Sequence, residues 1–318
     1  MAALMECVPN ISEGRRAEII DSLADSLSGV PGVSLLDRSS DATHNRTVFT
    51  LVGEPNPLKS ALVELVRQCI PVIDLRAHRG RHPRMGAVDV APFIPLRNCA
   101  MKDCIRAAQE AGREIAERFR LPVYLYGEAA AAPDRALLAN IRKGEFEGLE
   151  AKMKQAEWKP DYGPSSPHPS AGAIAVGARQ FLIAYNIQLE SSDLNAAKAI
   201  ARAVRASSGG LCNVQAMGLL LEERNQTQVS MNRQDYTKTP IYRVQELVRA
   251  EAARFGIRIA GSEIVGLAPQ AALLDSAAYY LQIENWRPEL IIENAMIAAT
   301  EPEQGVAADD RRAAGEPT

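Results

Sequence analysis

The order of elements repeats along this chain, and that repeat limits the available folds more than any single motif does. In the first half, residues 5–9 predict a strand, 15–27 a helix, 33–37 and 47–52 two strands, and 88–94 a further strand. Between the last two, Pro55 and Pro57 open a helix with Leu58, Ala61, Leu62, Leu65 and Cys69 on one face, and Pro71 is expected to stop it. A helix over 101–118 and a strand over 123–126 are appended to that half. The second half starts again with a strand over 181–189. Ser191 or Ser192 then caps a helix that points Leu194, Ala197, Ile200, Ala201 and Val204 inward. Strands over 214–221 and 228–231, a helix from Pro240 to before Gly256, and a strand over 257–264 complete it. Each half reads strand, helix, strand, strand, helix, strand. That is the split βαβ order, so the expected class is α+β, with two ferredoxin-like α/β sandwich subdomains and a ligand groove between them.

With 318 residues, the chain can bury two cores. A net charge of −3 exerts no general pull on nucleic acid, and no apolar run reaches the length of a membrane span. Cys7, Cys69, Cys99, Cys104 and Cys212 form an odd set without a C-x-x-C pair, which favours reduced thiols, a cytoplasmic setting and no structural zinc. No leader is read at the N-terminus. The polar stretch at 301–318 is expected to be a disordered tail.

Chemistry concentrates in Asp74-Leu-Arg-Ala-His-Arg-Gly-Arg-His-Pro-Arg-Met-Gly-Ala-Val-Asp-Val, which holds two of the four histidines. Gly80 and Pro83 oppose a continuous helix, so the imidazoles sit on a loop feeding a strand. His82 is the candidate base, with Arg79, Arg81 and Arg84 expected to depress its pKa and attract carboxylates; the other reading is a surface histidine bonded to a loop carbonyl. His78 is either a metal ligand or, with more support, a structural neighbour, because the loop breaks the i,i+4 geometry. Asp37, Asp41, His44, Asn45 and Arg46 cluster between two strands, where a carboxylate would orient an imidazole or simply make Asx turns.

The passage Pro160-Asp-Tyr-Gly-Pro-Ser-Ser-Pro-His-Pro-Ser-Ala-Gly172 separates the halves by composition. It reads either as a linker or as a rigid loop presenting N–H and hydroxyl donors. Asn186, Gln188, Gln215, Gln228, Ser230 and Asn232 place polar groups in otherwise apolar strands, as one wall of a wet cleft would.

Several motifs together resemble the formiminotransferase domain of glutamate formimidoyltransferases. They are Glu6-Cys-Val-Pro-Asn-Ile-Ser-Glu-Gly, Asn45-Arg-Thr-Val, Gly80-Arg-His-Pro-Arg-Met-Gly-Ala-Val-Asp-Val, Pro122-Val-Tyr-Leu-Tyr-Gly-Glu, Asp161-Tyr-Gly-Pro-Ser-Ser, Gln228-Val-Ser-Met-Asn and Gly261-Ser-Glu-Ile-Val-Gly-Leu. The resemblance implies an N-subdomain over 1–180 and a C-subdomain over 181–300, with tetrahydrofolate bound as co-substrate in the groove. It implies His82 as the acid/base. It also implies a folate loop of Gly163, Pro164, Ser165, Ser166, Pro167, His168, Pro169, Ser170, Ala171 and Gly172; Asp41, Arg46, His78, Arg79, Arg81 and Arg84 are the candidates for substrate binding or support, the arginines for the substrate carboxylates. The implied reaction moves a formimino group from N-formimino-L-glutamate to N5 of tetrahydrofolate, in a cytoplasmic homodimer of one-carbon metabolism and histidine degradation, without a metal, nucleic acid or membrane. The chain stops where a cyclodeaminase domain would begin, so that second activity is not expected. Formyl transfer from N-formylglutamate, action on 5-formyltetrahydrofolate and non-catalytic folate binding are the alternatives. The departures from the pattern are Ser39 with Asp41 at the acidic position, and His168 and Ala171 in the folate loop.

Overall fold

The computed structural model describes residues 2–300; the tail expected at 301–318 lies outside them. In chain order the first half holds β1 (Leu4–Cys7), β2 (Asn10–Ile11), α1 (Ala17–Ser28), β3 (Val33–Asp41), β4 (Arg46–Gly53), α2 (Pro55–Val72), β5 (Val88–Arg97), α3 (Met101–Phe119), β6 (Val123–Gly127), α4 (Leu138–Arg142), α5 (Glu145–Met153) and β7 (Ile174–Ala178). The second half holds β8 (Ile183–Leu189), α6 (Leu194–Val204), β9 (Val214–Leu221), β10 (Gln226–Arg233), α7 (Ile241–Ala253), β11 (Ile259–Val265), α8 (Gln270–Leu281) and α9 (Ile292–Thr300).

Among the described residues these strands make two sheets. The second runs β11, β8, β10, β9, antiparallel throughout. The first runs β3, β4, β1 with β2, β5, β7, β6, and its first four positions repeat the order of the second sheet. Beyond β5 the pairing turns parallel, through β7 to β6. The duplicated order read from the sequence is therefore a duplicated sheet topology.

Burial follows the two periods. Met5, Cys7, Phe49, Leu51, Val88 and Phe93 meet α1, α2 and α3 in one core. Ile183, Tyr185, Ile187, Val229 and Met231 meet α6 and α7 in another. A third cluster covers the opposite face of the first sheet at its β6–β7 end, where Val90, Tyr124, Tyr126 and Ala175 pack on Ile141, Leu149 and Met153 of α4 and α5. Alternation leaves Glu6, Arg46, Val48 and Thr50 on that same face beyond this cover. Glu6 and Thr50 are nevertheless buried, as are Asn186, Gln188 and Gln228 on the helix-free face of the second sheet. A methyl group added at Gly266, just after β11, would meet Asp37 Oδ2 of β3 at 3.9 Å, so the second half reaches across to the first there.

Four expectations need correction. The Pro-rich passage does not separate the halves: β7 follows it and inserts between β5 and β6. Its Ile-Ala-Val-Gly-Ala run is buried on both faces and so shows no alternation. Pro71 lies inside the last turn of α2, where only one ladder bond is lost and Ile73 N–H still reaches the Cys69 carbonyl at 2.9 Å. The cap of α6 is Asp193, whose carboxylate accepts from Asn195 and Ala196 N–H. Finally, β3 continues four residues past Asp37 because a bulge at Leu36 resets its register on β4.

Candidate active site

The His82 loop is held from two sides. Behind it, Asn45 adopts a left-handed conformation that asparagine tolerates (φ 52°). Its side chain accepts from Gly14 N–H at 2.9 Å and donates to the Arg79 carbonyl at 3.0 Å. Its own carbonyl accepts from His78 Nε2 at 2.9 Å. His78 is buried, and its Nδ1 lies 3.3 Å from Arg84 Nε, so this imidazole ties the turn before β4 to the loop. Burial lowers its pKa and keeps it neutral. In front, the chain from Met85 to Ala87 is paired with the end of the Pro-rich loop: Ala87 N–H donates to the Ala171 carbonyl and Ala173 N–H to the Met85 carbonyl, both at 3.0 Å. Gly86 and Gly172 face each other across this bridge. A Cβ on either would collide with the opposing backbone, with Ala173 O from Gly86 and with Met85 O from Gly172.

His82 itself is half-buried. Its Nδ1 is 2.6 Å from the Pro83 carbonyl, which can only accept, so the neutral ring carries its proton there. Arg46 Nη1 stands against both ring nitrogens, 2.7 Å from Nδ1 and 2.8 Å from Nε2; with the Nδ1 proton on the Pro83 carbonyl, Nε2 is the nitrogen left to accept from it. Arg46 is in turn held by the Asn10 side-chain oxygen, and its Nη1 lies 3.6 Å from Asp89 Oδ2. Asp89 is buried in β5; its Oδ1 accepts from Met85 N–H at 2.8 Å, and its Oδ2 faces Arg142 Nη2 at 2.6 Å. Burial pushes the His82 pKa down to about 4, helped by the charges of Arg46 and Arg142 and opposed by Asp89. The ring is a neutral imidazole at physiological pH.

The expected arginines divide. Arg46 touches the ring. Arg84 is buried and occupied, with its guanidinium on Glu147 at 2.6 and 2.8 Å and on Glu145 at 3.1 Å. Arg79 bonds the carbonyls of Arg76 and His78, and Arg81 reaches the Thr43 carbonyl through its backbone; both are exposed. The cations that depress the His82 pKa are thus Arg46 and Arg142, not Arg79, Arg81 and Arg84 as the loop composition suggests. Asp41 orients an imidazole, but that of His44, at 2.8 Å; the His44 ring stands 6.3 Å edge-on from that of His82. A cavity of about 400 Å³ opens beside the loop, lined by His78, Arg79, Arg84, Glu145 and Glu147.

The Pro-rich loop is ordered at both ends. Asp161 fixes its start by accepting from Leu125 N–H and pairing with Arg135, each at 2.8 Å. Gly163 and Pro164 line a cavity of about 650 Å³ with Arg113, Arg120 and Tyr162. At its far end His168 and Gly172 exchange backbone bonds, and His168 Nδ1 accepts from Ala171 N–H at 3.1 Å. Asn10, Asp89, Arg142, Glu145 and Glu147 were missed as site residues. A lone aspartate inside the apolar Val88–Val90 run was a usable signal for Asp89; nothing local marks Arg142.

Comparison with known proteins agrees with this architecture. Residues 4–179 match the family described as formiminotransferase domain, N-terminal subdomain, and residues 184–300 match formiminotransferase domain. The chain is 43% identical over 298 residues to the glutamate formimidoyltransferase of Streptococcus pyogenes serotype M1, covering 93% of this chain and 100% of that protein. It is 46% identical over 303 residues to the glutamate formimidoyltransferase of Thermoplasma acidophilum, covering 95% and 100%. The formimidoyltransferase-cyclodeaminase of Rattus norvegicus is 47% identical over 290 residues, covering 89% of this chain and 53% of the rat protein. With both halves matched in order and two relatives matched over their full length at 43% and 46% identity, the chain belongs to the formiminotransferase family.

Proposed function

We propose that this enzyme transfers the formimino group of N-formimino-L-glutamate to N5 of tetrahydrofolate, giving 5-formiminotetrahydrofolate and L-glutamate. The observation that carries the reading is His82: a neutral, half-buried imidazole held between the Pro83 carbonyl and Arg46, set in the segment that gives the family resemblance. Attack by N5 on the formimino carbon leaves a proton on a nitrogen that has become cationic and acidic. His82 takes that proton on Nε2 once Arg46 yields the lone pair. The imidazolium, poor at keeping a proton in this cationic setting, passes it to the departing glutamate nitrogen. Such acid–base help is worth roughly 10²–10⁴-fold, with orientation of the two substrates supplying more.

Subdomains over 1–180 and 181–300 would hold the substrates between the part of the first sheet that α4 and α5 leave uncovered and the helix-free face of the second. Buried polar side chains on both faces support a groove there. The loop from Gly163 to Gly172 serves as the folate support, because its bridge to Met85–Ala87 couples it to the His82 segment. Arg79 and Arg81 are the cations left to meet substrate carboxylates, while Arg46 holds the His82 ring and His78, Arg84 and Asp41 hold the loop and its neighbouring turn. A second copy of the chain is assigned to the apolar surface of α8 and α9, where Leu281 and Ile292 are each 70% exposed. A cytoplasmic enzyme of histidine breakdown fits this chemistry. Among the described residues no helix is long and apolar enough to cross a membrane.

Steady-state turnover with tetrahydrofolate and either formiminoglutamate or formylglutamate tests the reading. Release of glutamate with formation of the 5-formimino product, at higher kcat/KM for formiminoglutamate, is expected. Preference for the formyl donor, or no transfer from either, would reject it.

A further inference from the structure

The corner between α4 and α5 is pinned to the His82 segment at both ends. Arg142 closes α4 and meets Asp89 Oδ2 at 2.6 Å. On the α5 side, Phe146 N–H donates to the Arg84 carbonyl at 2.9 Å, and the Arg84 guanidinium engages Glu145 and Glu147. Gly144 and Glu145 both have positive φ (93° and 54°), so a tight left-handed turn carries the chain from one anchor to the other. The Asp89 and Arg142 side chains are only 2% and 14% exposed. One buried carboxylate is thus shared by two guanidiniums, Arg142 at 2.6 Å and Arg46 at 3.6 Å, and Arg46 is the group on the His82 ring.

We propose that Arg142 is a positioning residue for His82, acting through Asp89: it takes the free oxygen of that carboxylate, so that Arg46 is left to hold the imidazole. The reverse arrangement is easy to specify. Without Arg142, Asp89 has one cation within reach; Arg46 is drawn toward it and away from Nε2, because a buried carboxylate needs a counter-charge. His82 then loses one cation and gains a less compensated anion. The other groups facing it do not offset this change. They are His44 from the turn before β4, whose Nδ1 is held by Asp41, and the Pro83 carbonyl of its own loop; Arg84 is balanced by Glu145 and Glu147. The depressed pKa of His82, which has Arg142 among its causes, agrees with this layout.

The proposal deepens the formimino-transfer reading, and its primary readout is independent of that reading. In ligand-free protein, the His82 ring resonance, assigned by its loss in His82→Ala, is titrated by NMR. Arg142→Gln is expected to raise the midpoint by about one pH unit. The acid limb of the kcat/KM profile should move the same way, with kcat falling more than KM rises. Arg142→Lys, which keeps the charge, should stay near the wild-type midpoint. An unmoved midpoint in Arg142→Gln, even with activity lost, overturns the proposal by reducing Arg142 to a scaffold contact. Should Arg142→Gln fail to fold, Asp89→Asn gives the test of opposite sign. Its ring should stay neutral to lower pH than in wild type, and a rise or no change would refute the assignment. Because the titration uses no substrate, it decides the role of Arg142 whether or not formimino transfer is observed.

Discussion

At the scale of single residues, His82 is defined by the company it keeps. Its ordinary pKa would leave it half-charged near pH 6.5, whereas the folded site pushes it down to about 4. A protonation linkage follows. Between those two values the unfolded chain binds a proton that the folded chain refuses, so the stability present above pH 6.5 is lost as pH falls toward 4. Urea midpoints of wild type and His82→Ala, compared from pH 7 to pH 5, should therefore shift in favour of the alanine variant as pH drops. A constant difference would mean that the ring is not shielded. His82 stood out in the sequence because histidine, glycine and proline in one basic loop are a chemical signal by themselves, and Arg46 only as one of several polar residues between two strands. The partnership with Asp89 and Arg142 was not legible. Those residues lie 7 and 60 positions away from His82, and only the packing of α4 on the first sheet brings them together.

At the scale of elements, most helices and strands announced themselves through a one-sided apolar period: Leu58, Ala61, Leu62, Leu65 and Cys69 are all buried on α2, as the spacing requires. The misses have physical causes. The β7 strand has two buried faces and no alternation, and the short α4 and α5 helices offer too few turns for a period to show. The loop before β7 is where an element becomes a site. Gly172, at φ 68° with its α-carbon against the Met85 carbonyl, makes the bridge that holds the Pro-rich loop to the His82 segment. Gly172→Ala should cost about 2 kcal/mol of stability or more, from left-handed strain plus displaced backbone. It should also weaken tetrahydrofolate binding more than donor binding. Chemical denaturation with binding titrations checks both; a variant with wild-type stability would show that the bridge is dispensable.

At the scale of the whole molecule, one topology is used twice, and the first copy carries additions of its own. The β6–β7 extension and the α4–α5 cover frame the His82 loop, while the second copy contributes a polar sheet face and the exposed helices α8 and α9. If those helices seat a second copy, light scattering should give about twice the 34.5 kDa chain mass. Leu281→Lys should then lower it to one copy, and a wild-type monomer would remove that interface. The central claim is that one imidazole moves the proton between donor and acceptor while the folate support stays intact. The most direct measurement compares His82→Ala with wild type in kcat for formimino transfer and in Kd for tetrahydrofolate. The account predicts a fall in kcat of at least about 100-fold with Kd nearly unchanged. Wild-type turnover in the variant, or equal losses in binding and turnover, would contradict it.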